Sequence, residues 1–264
     1  MDCYKPVDGK GVEVDISTCT FSLFYQPIPT IRREAFEIEA KLDGYIKPFQ
    51  IFSVPDDAPF ELPRISATTE NGHSSLNIAA QSAQVQSRYD DDFSKDFAKS
   101  LDYSKTKALE LHNALMSMPV IRLHFAGLAV QLLLPASEIS SSPVSFISNT
   151  YLKVTSDLPM SDVSTKLVYK VDSDFYLNLE VQKMVLSDPL SINIGPDGIS
   201  VIKKLPTNSE EMLAVSIDFN NRLAFNEGRI LGCDETTIQN LYGRVQSFLE
   251  DGINPFLTNG EVRF

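Results

Sequence analysis

The sequence predicts an α+β protein of two halves, each a mainly antiparallel sheet packed by amphipathic helices. Three observations predict it. Strand-period runs come in pairs joined by short turns; several other stretches carry one apolar stripe at helical spacing; and strands group together before a helix instead of alternating with helices one for one. The densest apolar stretch, residues 119–135 (PVIRLHFAGLAVQLLLP), lies near the middle of the 264-residue chain. Domains usually run to roughly 100–200 residues, so the expected division is an N-terminal α+β domain at 1–135, a Ser-rich linker at 136–149 and a C-terminal α+β domain at 150–264.

The first strand is expected over residues 12–25, where Val12, Val14 and Ile16 alternate with Glu13 and Asp15 before the run TFSLFY. Pro27 and Pro29 stop it. Thr30 then stands where a helix cap is wanted, and Ile31, Ala35, Ile38 and Leu42 form one stripe opposite Arg32, Arg33, Glu34 and Glu37, with Gly44 closing the helix. A short strand at residues 49–54 leads into a loop with Pro55 and Pro59. Residues 64–69 and 74–80 flank Asn71-Gly72, whose types suit the left-handed conformations of a tight hairpin. Residues 81–89 are expected either to extend the second arm or to form another strand.

Asp90, Asp91 and Asp92 precede Phe93, Phe97 and Leu101, which puts carboxylates at the positive end of a helix. A break is expected near residues 102–104, with Ser104 capping a second segment through Ala108, Leu111 and Leu115. Pro119 ends it. In the central stretch Val120, Arg122 and His124 are expected on one side and Ile121, Leu123 and Phe125 on the other, while the unbroken apolar run 128–134 suits a strand covered on both faces.

Past the Ser-rich segment, residues 167–171 and 175–181 alternate on either side of Asp172-Ser173-Asp174 and predict a second hairpin. Residues 190–194 and 199–205 surround the turn Gly195-Pro196-Asp197-Gly198. Leu213, Val215, Ile217 and Phe219 face inward from the next strand, with Ala214, Ser216 and Asp218 outward. Asp234 opens a last helix bearing Ile238, Leu241, Val245, Phe248 and Ile253 on one stripe, with Pro255 expected past its end.

The formal net charge is −12, from 35 acidic and 23 basic residues, and it is shared between the halves. A field of that sign repels phosphate backbones and anionic membranes and favours a basic protein partner. Cys3, Cys19 and Cys233 are odd in number, widely spaced and without a C-x-x-C pair, which predicts neither a disulfide framework nor a zinc site and fits a reducing cytoplasm. The polar start MDCYKPVDGKG lacks a secretion signal, and no window approaches ~18 uninterrupted apolar residues.

Candidate chemistry is sparse. His73, His112 and His124 are far apart and have no metal-binding spacing such as H-E-x-x-H. Asp172, Asp174, Glu180 and Lys183 resemble the acid-and-lysine set of a metal-dependent nuclease, but Glu180 and Lys183 stand an odd number of positions apart and point to opposite faces of a strand. Asp90-Asp91-Asp92 lacks the glycine and distal glutamate of an EF-hand loop. Gly9-Lys10-Gly11 lacks the upstream strand and the ending of a phosphate loop, and G-x-G-x-x-G and G-x-S-x-G are absent. No catalytic residue, metal ligand or cofactor is therefore assigned. The remaining ligand-binding candidates are Arg64, Arg122 and His124, which would make a basic spot on an acidic protein if their faces lined one cleft.

Five features resemble a sporadically distributed, uncharacterised family of bacterial proteins of about this size: Pro63-Arg64 opening a strand, the Asn71-Gly72 hairpin, Tyr89 before a helix, the Arg-bearing strand 120–125, and the strand Val215-Ser216-Ile217-Asp218 before a closing helix. The chain departs from that family in having no Trp. The resemblance implies no activity and no functional residue. The first expectation is thus a non-enzymatic cytoplasmic protein-interaction module, of an antitoxin-like, immunity or defence-accessory kind, that binds a basic partner protein and neither nucleic acid nor membrane. The alternative is an enzyme or small-ligand-binding protein using a polar cleft near Arg64, Arg122 and His124.

Overall fold

The structure, a computed structural model, describes residues 14–55, 57–139, 141–153, 157–187, 191–195, 198–202, 209–229 and 232–263. Cys3, the Gly9-Lys10-Gly11 segment, the start of the first expected strand, Pro196-Asp197 and the end of the strand expected at 199–205 lie outside the described residues.

The first half runs β1 (Asp15–Tyr25), a 3₁₀ turn at Ile31–Glu34, α1 (Ala35–Lys41), β2 (Gln50–Ile51), β3 (Pro63–Thr68), β4 (Ser74–Ala79), β5 (Ser82–Arg88), the single turn α2 (Asp91–Ser94) and the long α3 (Phe97–Met116). The second half runs β6 (Leu123–Pro135), α4 (Pro143–Ile147), β7 (Ser164–Val171), β8 (Phe175–Ser187), the hairpin β9 (Ser191–Gly195) and β10 (Gly198–Ile202), then β11 (Ser209–Asn220), α5 (Arg222–Asn226), α6 (Glu235–Ser247) and α7 (Ile253–Asn259). Among the described residues no helix is long and apolar enough to cross a membrane.

The fold is α+β, but the two halves do not build separate sheets. One nine-stranded antiparallel sheet runs in the order β2-β3-β4-β5-β1-β6-β11-β8-β7. The join is the β1–β6 ladder, from Asp15 opposite Leu133 to Tyr25 opposite Leu123. Two long strands with free edges satisfy their backbone donors and acceptors by pairing with each other, which removes the inner edge from both halves. Counted outward from that join, the first half reads β1, β5, β4, β3 and the second reads β6, β11, β8, β7. Each half places a helix after its first strand and a short then a long helix after its last, so the halves repeat one topology within a common sheet.

The helices cover one face. Along β1 the side chains of Cys19, Phe21, Leu23 and Tyr25 are buried while Thr18, Thr20, Ser22 and Phe24 are only half-buried on the other face. The same alternation continues in β8, β11 and β6. The expectation that residues 128–134 are covered on both faces is therefore corrected: Leu128, Val130, Leu132 and Leu134 are buried, and Ala129, Gln131 and Leu133 are half-buried on the face without helices. The expected placing of Leu123 and Phe125 on one side also fails, because a register shift between Phe24 and Tyr25 opposite Phe125 and Leu123 turns Phe125 away from the core.

Three helix boundaries differ from expectation for local reasons. The break comes at Lys95–Asp96, not at 102–104: the Asp96 carboxylate accepts from the Lys99 N–H and starts α3, while Ser104 lies buried in mid-helix. The Ser-rich segment holds α4, started by the Ser142 hydroxyl accepting from the Ser145 N–H, and it buries Val144, Phe146 and Ile147 instead of hanging free. Pro255 sits inside α7, which continues from α6 through a π-helical turn at Phe248–Gly252. The strand expected at 49–54 is confined to Gln50–Ile51.

Candidate functional site: a polar trough on the open sheet face

The uncovered face carries a trough over the middle of the sheet. Period-2 alternation in β11 sends Ser216, Asp218 and Asn220 to this face and Val215, Ile217 and Phe219 into the core. The Asp218 carboxylate accepts from Asn178 Nδ2 on β8 at 2.8 Å and from Asn220 Nδ2 at 3.2 Å. Asn220 Oδ1 in turn accepts from the Arg222 backbone N–H at 3.3 Å. A half-buried carboxylate needs such donors, since its desolvation is otherwise uncompensated.

Gly127 on β6 pairs with both Ser22 and Asn220 and forms the floor. A Cβ there would stand 3.2 Å from Asn220 Cβ and 3.7 Å from Asp218 Oδ1, so the glycine makes room for the polar pair. Beside it Phe24 and Phe125, directly opposite in the β1–β6 ladder, stack with centroids 4.4 Å apart. The Arg222 guanidinium lies 5.6 Å above the Phe125 ring centre. Its place is fixed by Asn221, whose buried side chain accepts from the Ala126 N–H at 2.7 Å and whose own N–H donates to the Ala126 carbonyl at 3.1 Å, tying the start of α5 to β6.

Two adjoining cavities make up the trough. One, of about 340 Å³, lies over β5, β1, β6 and β11 and includes Gln84, Ser22 and Phe125; the other, of about 290 Å³, extends over β8 and β7 and includes Tyr176, Asn178 and Lys166. Asp218, Asn220 and Arg222 line both. Both halves of the chain thus contribute, and the shared centre offers carboxamide, carboxylate, guanidinium and aromatic surfaces side by side.

The sequence-based candidates are placed elsewhere. Arg64 sits at an irregularity of β3 and is fully buried, its Nη2 donating to the Ala58 carbonyl at 3.1 Å; β4, β5 and β1 separate its strand from β6. Arg122 is exposed ahead of β6, held through its backbone N–H to Gln26 Oε1. His124 is half-buried and stacks on Phe225 at 5.1 Å. Arg122 and His124 are therefore sequence neighbours at the start of one strand, and Arg64 does not join them. His112 is buried, its Nε2 bonded to the Cys233 carbonyl at 2.9 Å. Asp172 pairs with Arg244 of α6 and Asp174 with Arg229 beyond the end of α5, two contacts that hold the β7–β8 turn to the chain that follows β11; the Arg229 contact keeps the Asp174 carboxyl below its ordinary range. Among the described residues no group of three or more His, Cys, Asp or Glu could hold a metal ion.

Asp218, Asn220, Asn178 and Phe24 went unmarked as site residues in the sequence. A signal was present: Asp and Asn are depleted in strands, so their presence at outward positions in mid-strand needs a reason. A scan against protein-family models and a search of curated proteins return no match.

Proposed function

We propose that the protein is a non-enzymatic binding module that holds an extended segment of a partner protein in the trough. The observation that carries this reading is the elongated pair of cavities with Asp218, Asn220 and Arg222 at their junction. Gln84, Asn178, Asn220 and Asn226 line the trough along its length, and a carboxamide has two N–H donors and two acceptor lone pairs, so Asn178 and Asn220 keep capacity beyond their bonds around Asp218 for a peptide group's N–H and C=O. The stacked Phe24 and Phe125 offer one apolar platform for a side chain of the segment. Binding is favoured over catalysis because Asp218 is held by two amide groups and not by a histidine or a second acid.

The partner is proposed to be basic, since the −12 charge of the chain speeds encounter with positive surfaces. A cytoplasmic location belongs to the same proposal, supported by the free, buried Cys19 and Cys233. The test is a photo-crosslinking amino acid placed at Val168, exposed in the trough, and at Phe36, exposed on α1. A crosslinked protein from native-host extract is expected at Val168 and not at Phe36; equal labelling from both positions sinks the reading.

A further inference from the structure

A second cavity lies apart from the trough, at the end of the first half where the β3–β4 turn, the end of β5, α2 and α3 meet. Its volume is about 200 Å³, and Asn71, His73, Arg88, Tyr89, Phe93 and Tyr103 line it. Three rings form the walls: Tyr89 and Phe93 are near-parallel with centroids 6.3 Å apart, and Tyr103 stands edge-on to Phe93 at 6.2 Å. The polar ends of two of them are turned to the protein, the Tyr89 hydroxyl donating to the Ser100 carbonyl at 2.8 Å and the Tyr103 hydroxyl accepting from Ser74 Oγ at 3.2 Å. Ring surface, not hydroxyl, is what the cavity is left with.

The rim is cationic on an acidic protein. Arg88 is exposed, and among the described residues its guanidinium has no ion pair; its backbone N–H bonds the His73 carbonyl at 2.8 Å and so fixes both residues at the mouth. Lys99 Nζ lies 3.9 Å above the Phe93 ring centre. Asn71 Oδ1 is occupied by Thr69 Oγ1 and the His73 N–H, which leaves the Nδ2 donors for a ligand. Among the described residues no carboxylate lines the cavity, and of the acids adjoining its lining residues Asp90 accepts from the Phe93 N–H as the cap of α2.

The corresponding corner of the second half holds an aromatic ring and an arginine of its own. There Arg244 of α6 lies 4.6 Å from the Phe175 ring centre and pairs with Asp172 in the β7–β8 turn. The first half has Ser74 where β4 begins and Phe175 stands where β8 begins, so the aromatic filler of that corner is missing.

From these observations we infer that the cavity is a binding site for a small aromatic monocarboxylate. The ring lies among Tyr89, Phe93 and Tyr103, and the carboxylate meets the Arg88 guanidinium with Asn71 Nδ2 as a second donor. The volume suits one ring with a short arm, being below the about 300–1,000 Å³ of sites for larger ligands. This site is independent of the trough.

The test is calorimetric titration of the full chain with 3-phenylpropionate, alongside 2-phenylethylammonium as a cation of similar shape. Saturable 1:1 binding of the carboxylate is expected, weakened about tenfold or more in Arg88→Gln, as loss of a charge-assisted pair implies, and unchanged in the trough variant Asn220→Ala. Arg88 is exposed, so that variant should fold, and its thermal transition is checked in parallel. Absence of saturable carboxylate binding in the millimolar range, equal or tighter binding of the ammonium, full affinity in Arg88→Gln, or loss in Asn220→Ala would each overturn the assignment.

Discussion

Ser104 of α3 and Tyr242 of α6 occupy the same place in the two halves, each eight residues beyond the aspartate that caps its helix, and their hydroxyls hydrogen-bond each other at 2.8 Å in the buried interior. The repeat of topology therefore meets itself on the helical layer as it does in the sheet, where β1 pairs with β6. Burial raises the Tyr242 phenol well above its ordinary pKa, so the pair stays neutral. Removing one partner strands the other in a dry site. Tyr242→Phe should destabilise by about 1–3 kcal/mol, the Ser104→Ala/Tyr242→Phe double variant by less than the sum of the singles, and urea unfolding of the four proteins measures the coupling.

Gly127→Ala tests the floor of the trough. Its Cβ would approach Asn220 Cβ to 3.2 Å, which forces the Asn220 and Asp218 pair to shift. A loss of roughly 1–3 kcal/mol is expected from overpacking. Chemical denaturation measures it, and a fully stable variant would mean that the strands at this point part without resistance.

The Ser-rich segment should resist proteolysis, because α4 buries Val144, Phe146 and Ile147. Proteinase K, which has broad specificity, should cut first within residues 157–163, outside helix and strand, where Leu158 is 78% exposed. Phe146→Ala should cost about 3–5 kcal/mol, the usual range for a buried phenylalanine. Mass spectrometry of the first fragments decides the first point and thermal unfolding the second.

Cys19 and Cys233 should be inert in the folded protein. Burial pushes each thiol from 9.0 to about 12, so neither forms the reactive thiolate at neutral pH. Alkylation by iodoacetamide at pH 8, read by peptide mapping, should label them only after unfolding. The linked effect on stability has a definite sign: the unfolded thiols ionise from 9.0 upward while the folded ones do not, so this contribution is complete below 9.0 and is lost as pH rises to about 12.

Local signals carried most of the elements and little of the site. The Asn71-Gly72 hairpin was legible, although only Gly72, at φ 74°, takes the left-handed conformation that glycine adopts without strain, and Asn71 does not. The stripe Ile31, Ala35, Ile38 and Leu42 is buried as its spacing implies. What failed was long-range. The union of two sheets into one depends on β1 meeting β6, about a hundred residues apart, and the run 128–134 is equally apolar whether helices cover one face or both. The trough draws Phe24, Asn178 and Asp218 from β1, β8 and β11, which lie within four consecutive strands of the sheet, a proximity without trace in the spacing along the chain. Arg64 looked like a ligand-binding cation because nothing local shows that its guanidinium turns inward onto the Ala58 carbonyl of the preceding loop.

Panning a displayed library of random linear peptides against the folded chain shows whether the trough binds an extended, basic polypeptide segment. Enrichment is expected of Lys- and Arg-bearing peptides whose affinity falls about tenfold or more, roughly 1.4 kcal/mol, in Asn220→Ala, and whose association slows as salt screens the acidic protein. Failure to enrich any linear peptide, or enriched peptides that bind wild type and Asn220→Ala equally, would contradict it.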